Sequence, residues 1–210
     1  VSTSAGLDRF RKTFPDQYVD LGIAEQNMIG VAAGLSSEKF DVVTTTFAPF
    51  QTMRCCEQIK VNLGYRKEKI TMVGLASGLV LGNLGYTHCC IEDIGVLRSI
   101  PNLNIISPSD SLETIKAVEA SLESEISCYI RLTGGSNNPI INKSDYEFKI
   151  GKSITLKEGK DIIIFSSGAI LSETLLAANL LKDNGISAKV VNMHTIKPID
   201  EEMIQNSIQD

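Results

Sequence analysis

The chain has 210 residues, 43% of them hydrophobic, enough to build a packed core in one large domain or two modest ones. Its formal net charge of -5, with no long basic run, leaves no electrostatic footprint for nucleic acid or an anionic membrane surface. No apolar stretch approaches the roughly 20 residues of a membrane span and the start lacks a signal-peptide layout, so the expectation is a cytoplasmic protein with no nucleic acid and no membrane among its partners.

The chain opens on Val1-Ser2-Thr3-Ser4 without an initiating Met, which reads as a processed or trimmed start. Short β-branched runs predict strands at Tyr18 to Leu21, Asp41 to Thr46, Ile70 to Leu75, Leu103 to Ser107, Ser127 to Leu132, Asp161 to Ser166 and Ser187 to Met193. Between them, apolar residues at helical spacing predict helices: Ile23, Val31 and Leu35; Ile59 and Leu63; Leu112, Ile115, Val118 and Leu122; Ile170, Leu175, Leu176 and Leu180. Strand and helix alternate, which is the pattern of an α/β fold. The unbroken apolar run Ile162-Ile163-Ile164-Phe165 predicts a strand buried on both faces, as in a parallel sheet with helices on both faces.

From Leu132 to Gly151 the composition turns to Gly, Ser, Asn and Pro, and neither periodicity holds. That places a domain boundary there, giving domains over 1–145 and 146–210. The second begins with a strand at Asp161, a helix capped near Ser167 and closed by Asn184-Gly185, and a strand at Ser187. A single βαβ unit is too small for a complete domain, so this one is expected to be the start of a domain truncated at Asp210.

Five cysteines at 55, 56, 89, 90 and 128 include two adjacent pairs, a poor disulfide or C-x-x-C metal framework, and read as reduced thiols. Glycines 78, 82 and 85 do not form G-x-G-x-x-G, and Gly151-Lys152-Ser153 lacks the first Walker glycine, so neither supports a nucleotide site. Three segments carry candidate chemistry. Asp20-Leu21-Gly22-Ile23-Ala24-Glu25-Gln26-Asn27-Met28 runs across a glycine turn into a helix, putting Glu25 in or near its first turn, where a carboxylate also complements the helix dipole. Thr46-Phe47-Ala48-Pro49-Phe50 sets two aromatics three residues apart at a strand end, a spacing that also suits a core contact. Gly82-Asn83-Leu84-Gly85-Tyr86-Thr87-His88 is a glycine loop carrying one of the two histidines; the other, His194, reads as structural.

Gly22-Ile23-Ala24-Glu25-Gln26-Asn27 closely resembles the G-I-A-E-Q-N segment of the pyrimidine-binding domain of transketolases, deoxyxylulose-phosphate synthases and their relatives. The resemblance implies a thiamine-diphosphate enzyme in which Glu25 bonds the aminopyrimidine ring and acts catalytically by sharing a proton with a ring nitrogen. Thr46-Phe47-Ala48-Pro49-Phe50 is similar to the family's T-F-x-x-F pattern, which implies that Phe47 and Phe50 pack against that ring, with Met53 where some relatives have a tyrosine. The glycine loop resembles G-x-D-G-P-T-H, which makes His88 the counterpart of an active-site histidine that polarises the substrate carbonyl or shuttles protons. Leu97-Arg98-Ser99-Ile100-Pro101-Asn102 is similar to the family's L-R-x-I-P-N run. Arg131 stands near a strand end where relatives grip a substrate phosphate, although a plain surface arginine fits the sequence as well.

The loop departs from the family pattern at Leu84, where Asp is usual, and at Tyr86, where Pro is usual; Ala76 stands where many transketolases have a substrate-contacting histidine. An Asp at position 84 would bond a substrate hydroxyl, and Leu removes that acceptor, so the sugar-phosphate pair is open. No Gly-Asp-Gly occurs in the chain, and the family holds the cofactor's diphosphate and a divalent metal through such a motif. The resemblance therefore implies a companion subunit of the transketolase N-terminal, diphosphate-binding type that carries Mg2+ or Ca2+, in a hetero-oligomer built on a homodimeric core. The leading expectation is two-carbon ketol transfer between a sugar or sugar phosphate and an aldehyde. A subunit acting on a 2-oxoacid and a non-catalytic assembly subunit stay open beside it.

Overall fold

The computed structural model describes residues 5–134, 138–142 and 145–209. The opening Val1 to Ser4 and, within the turn-rich boundary stretch, Gly135 to Asn137 and Lys143-Ser144 lie outside them. In chain order the elements are α1 (Asp8–Thr13), α2 (Glu25–Ser37), β1 (Val43–Phe47), α3 (Ala48–Gln51), α4 (Cys56–Ile59), β2 (Thr71–Leu75), α5 (Asp93–Arg98), β3 (Leu103–Ile106), α6 (Ser111–Glu123) and β4 (Ser127–Arg131). They continue with β5 (Ile154–Lys157), β6 (Ile162–Ser166), α7 (Leu171–Asp183), β7 (Ala188–Asn192), β8 (Thr195–Lys197) and α8 (Glu201–Gln209). Strands and helices alternate as an α/β fold requires. Among the described residues no helix is long and apolar enough to cross a membrane.

The chain divides into two compact units, one holding the chain through Leu103 together with Ser124–Gly134, the other Asn104–Glu123 and the rest. In the first unit β1, β2 and β4 run parallel, with Val43 opposite Thr71, Phe47 opposite Leu75, and Gly74 opposite Arg131. Parallel register carries Phe47, Leu75 and Arg131 to one edge, the carboxyl ends of the strands, where open α/β sheets place ligands. Gly74 has a packing reason: a Cβ there would run into the Tyr129 hydroxyl and ring, so only glycine lets that ring cross β2. Ile29, Ile59, Leu63, Ile70, Met72 and Ile130 fill the core.

In the second unit β6 and β7 pair in parallel and β5 joins β7 antiparallel, while β8 pairs antiparallel with β3. Leu171, Ala178, Ala188 and Val190 form its core, and Ile141, Leu156 and Ile164 pack against them. Ile186 N–H and Gly185 N–H bond the carbonyls of Leu181 and Lys182, closing α7 with Gly185 at φ +80°.

Four sequence expectations need correction. Tyr18 to Leu21 is not a strand: Tyr18 is extended, but Val19 is 61% exposed and the segment joins no ladder among the described residues. β-Branched composition favours extended backbone and cannot supply a neighbour. Ile162 to Phe165 is not buried on both faces: Ile162 and Phe165 stay exposed, and β6 is an edge strand of its three-stranded sheet among the described residues. The apolar positions of α6 do not face its core: Glu113, Ala117 and Ser121 are buried, and Leu112, Ile115 and Leu122 are exposed. Ser167 starts a single 3-10 turn ahead of α7, not α7 itself, and makes no side-chain cap. Strands β5 and β8 were not expected; they are short, and each exists through an antiparallel partner distant in sequence.

Candidate active site

Asp20 begins the local architecture. Its Oδ1 accepts the Gly22 N–H at 2.9 Å, and Gly22 at φ +71° turns the chain into α2, whose first residue is Glu25. Ala24 makes no side-chain cap. Glu25 is only 5% exposed, so its charge needs a partner. Arg54 supplies one: its Nη1 donates to Glu25 Oε2 at 2.8 Å. Ile23, expected on the helix, lies outside it and is 89% exposed.

Phe47 ends β1 and Phe50 sits in α3, with ring centroids 6.2 Å apart. The loop after β2 brings a third ring to them. Gly78 and Cys90 exchange backbone hydrogen bonds of 2.6 and 2.8 Å, clasping the loop at its base, and Gly85 accepts the His88 N–H at φ +81°. His88 thereby lies edge-on to Phe50 at 5.4 Å and to Phe47 at 6.4 Å. Its Nδ1 is 3.0 Å from the Thr87 hydroxyl.

The Arg54 guanidinium also lies over Phe50, with Cζ 3.9 Å from the ring centroid. One small planar group of N–H donors thus touches both Glu25 and Phe50. A hydrogen-bond acceptor beside an aromatic face is also the combination that a planar ring edged with N–H groups, such as an aminopyrimidine, would need. Met53, in the same turn, is 47% exposed; the side chain that this turn lays on Phe50 is that of Arg54.

Arg131 is not a plain surface arginine. Its Nε donates to Asp93 Oδ2 at 2.8 Å, and the Tyr129 hydroxyl donates to the same oxygen at 2.9 Å. Asp93 is 1% exposed, at the start of α5. Burial first, then the Asp93 charge, pushes the Tyr129 phenol well above its ordinary value, so it stays a donor. Arg131 Nη1 reaches the Thr133 hydroxyl at 3.3 Å, leaving guanidinium edge for another acceptor.

Burial pushes the Cys55 thiol up to about 12, with the Glu25 charge adding to it, and burial likewise raises Cys90, so neither is a thiolate nucleophile. Among the described residues no group of three His, Cys, Asp or Glu side chains could hold a metal ion. In the second unit His194 is buried and stacks on Phe148, centroids 4.1 Å apart, with Nδ1 3.0 Å from the Thr195 hydroxyl. Leu84 and Tyr86 are exposed on the loop that carries His88. Ala76, buried at the end of β2, is held at φ +51°.

Sequence reasoning missed Arg54, Asp93 and Tyr129. Arg54 follows Phe50 by four residues, a spacing at which a cation can fold back over a ring. Tyr129 shares a strand with Arg131 at i, i+2, on the same face, a visible sign that both could reach one acceptor. Asp93 carried no such signal.

The pattern common to transketolase pyrimidine-binding domains matches residues 1–138, and that of the transketolase C-terminal domain matches residues 151–210. An apulose-4-phosphate transketolase subunit from Phocaeicola vulgatus is 35% identical over 99% of this chain, which spans 66% of that protein's length. A 6-deoxy-6-sulfo-D-fructose transketolase subunit from a Clostridium species is 37% identical over 97% of the chain, spanning 63% of its own length. A solved split-gene transketolase, an inactive beta4 tetramer, superposes with a TM-score of 0.90 at 37% identity, over all of this chain and 67% of that one.

Proposed function

The chain belongs to the transketolase family, and from that premise we propose that it is the pyrimidine-side subunit of a thiamine-diphosphate enzyme, transferring a two-carbon ketol unit from a ketose or ketose phosphate to an aldehyde. The observation that carries the reading is the convergence of Glu25 and Phe50 on a single planar cation. The bound cofactor would supply the electron sink for carbon–carbon bond cleavage.

The chain's own residues divide the remaining work. Glu25, at a helix start and shielded from water, shares a proton with a pyrimidine nitrogen, which sets the tautomer of the ring. Phe47 and Phe50 pack against the ring, and Met53 flanks them. His88, held edge-on to both phenylalanines, polarises the substrate carbonyl or shuttles its proton. Arg131, oriented by Asp93, grips a substrate phosphate through its free edge.

The diphosphate and its Mg2+ or Ca2+ belong to a companion subunit in this reading, within a cytoplasmic hetero-oligomer on a homodimeric core. A solved neighbour described as a split-gene transketolase and relatives described as transketolase subunits support it. The proposed domain boundary after residue 145 falls between the two stretches that the family patterns match. A 2-oxoacid donor is the second reading, favoured by one observation: Leu84 puts an exposed apolar side chain on the loop that carries His88.

Donor assays on the complex of this chain with its diphosphate-binding companion separate the two. Ketose phosphates are expected to turn over and pyruvate is not; turnover of pyruvate alone would reverse the assignment.

A further inference from the structure

Arg54 is bound by the same two groups that the pyrimidine ring is proposed to use. Its guanidinium donates to Glu25 Oε2 at 2.8 Å and lies 3.9 Å over the Phe50 ring. Planar, cationic and edged with N–H donors, it offers Glu25 and Phe50 the same combination as an aminopyrimidine: a hydrogen-bond donor for the carboxylate and a flat face for the ring. The two ligands cannot both occupy that position.

We propose that Arg54 is an internal competitor of the cofactor, which must yield Glu25 and the face of Phe50 before the pyrimidine ring seats. The inference rests on the reading of Glu25 and Phe50 as the pyrimidine site. Arg54 is built to leave. Its side chain is 40% exposed whereas that of Glu25 is 6% exposed, so the guanidinium can swing into water and lose little solvation. Its backbone is tied independently, the carbonyl accepting the Gln26 amide at 2.9 Å and the N–H donating to the Pro49 carbonyl at 3.1 Å. The side chain therefore moves without disturbing the turn. While engaged, the cation occupies the carboxylate oxygen that a ring N–H would need. Release of Arg54 thus clears the position and readies Glu25 for a proton-sharing partner.

The test is calorimetric titration of thiamine diphosphate with Mg2+ into the complex of this chain and its diphosphate-binding companion. R54Q, which removes the cation, is expected to tighten cofactor binding about threefold to fivefold, the size of a half-exposed ion pair. R54K keeps the charge and loses the planar fork, and should tighten binding about twofold; it carries the test alone if R54Q does not assemble. Weaker or unchanged binding in these variants overturns the competitor role. E25Q separates that result from failure of the site itself: it should weaken cofactor binding about tenfold or more, the scale of a lost hydrogen bond to a charged group. If E25Q binds as tightly as the unaltered chain, the pyrimidine site lies elsewhere. If E25Q weakens binding while the Arg54 variants fail to tighten it, only the competitor proposal falls.

Discussion

Glu25 and Glu113 are the same residue in the same kind of place, a buried glutamate in the first turn of a 13-residue helix, and they are solvated in opposite ways. Glu113 is fixed by three neutral donors: the Ser109 N–H at 2.6 Å, the Tyr146 hydroxyl at 2.7 Å and the Asn192 amide at 2.7 Å. All three come from packed parts of the second unit, and the carboxylate is fully enclosed. Glu25 is paired with one half-exposed cation, Arg54. A carboxylate satisfied by rigid neutral donors holds a fold together, while one balanced by a removable charge stays available to a ligand. Burial alone does not distinguish the two; the charge and exposure of the partner do.

The comparison predicts that the two conservative substitutions have different phenotypes. In the reconstituted enzyme E25Q should cut turnover by about 10²- to 10⁴-fold, the range of a lost proton-transfer group, while its denaturant midpoint stays close to that of the unaltered chain. Steady-state rates and an unfolding curve on the same preparation check both halves. E113Q should instead lower stability by about 2–3 kcal/mol, since an amide NH2 would face one of the three donors and charge-assisted bonds would be lost. Urea unfolding reads it. If E113Q is as stable as the unaltered protein, the contrast drawn above fails.

His194 sharpens the view of the second unit as a structural body. Burial pushes its imidazole down from the ordinary 6.5 to about 4, against the opposing pull of the Asp200 charge. The unfolded chain therefore binds a proton between these values that the native chain does not, so stability is complete above about pH 6.5 and is lost as pH falls toward 4. The expected loss from pH 7 to pH 4.5 is about 2 kcal/mol. Urea midpoints across that range should show it, and H194N should flatten the slope. The smallest effect belongs to the first unit. Y129F removes one of two donors to Asp93 Oδ2 while Arg131 keeps the other. It should cost about 1 kcal/mol of stability and raise KM for a phosphorylated donor with little change in kcat. A fall in kcat at constant KM would show that Tyr129 acts on the reacting atoms and not on the orientation of Arg131.

Most of the parallel sheet could be read in advance, because β-branched runs such as Ile70 to Leu75 and Ser127 to Leu132 pair with other strands along most of their length. The run at Tyr18 failed because no strand pairs with it among the described residues. Helix α6 misled for a related reason: Leu112, Ile115 and Leu122 announce a buried face, yet the position of Glu113 among its three donors turns that face outward. Of the candidate site, Glu25, Phe47, Phe50 and His88 were legible through motifs. The structure brings His88 to the phenylalanines, 41 and 38 positions before it, by a loop clasped between Gly78 and Cys90. Arg54, Asp93 and Tyr129 were not legible as parts of a site. Their roles exist only through contacts across 29, 38 and 36 positions of chain.

By itself the amino-acid sequence determined the alternation of strand and helix, the glycine turn that leads into α2, and the motifs that resemble a thiamine-diphosphate pyrimidine domain. These are local properties: periodicity, glycine φ angles and residue order act over a few positions. What only the tertiary structure decided is which charge meets which. Arg54 on Glu25, Asp93 under Arg131 and the donors around Glu113 depend on where distant segments come to rest, and a buried carboxylate takes its chemical character from whatever lies within hydrogen-bonding distance.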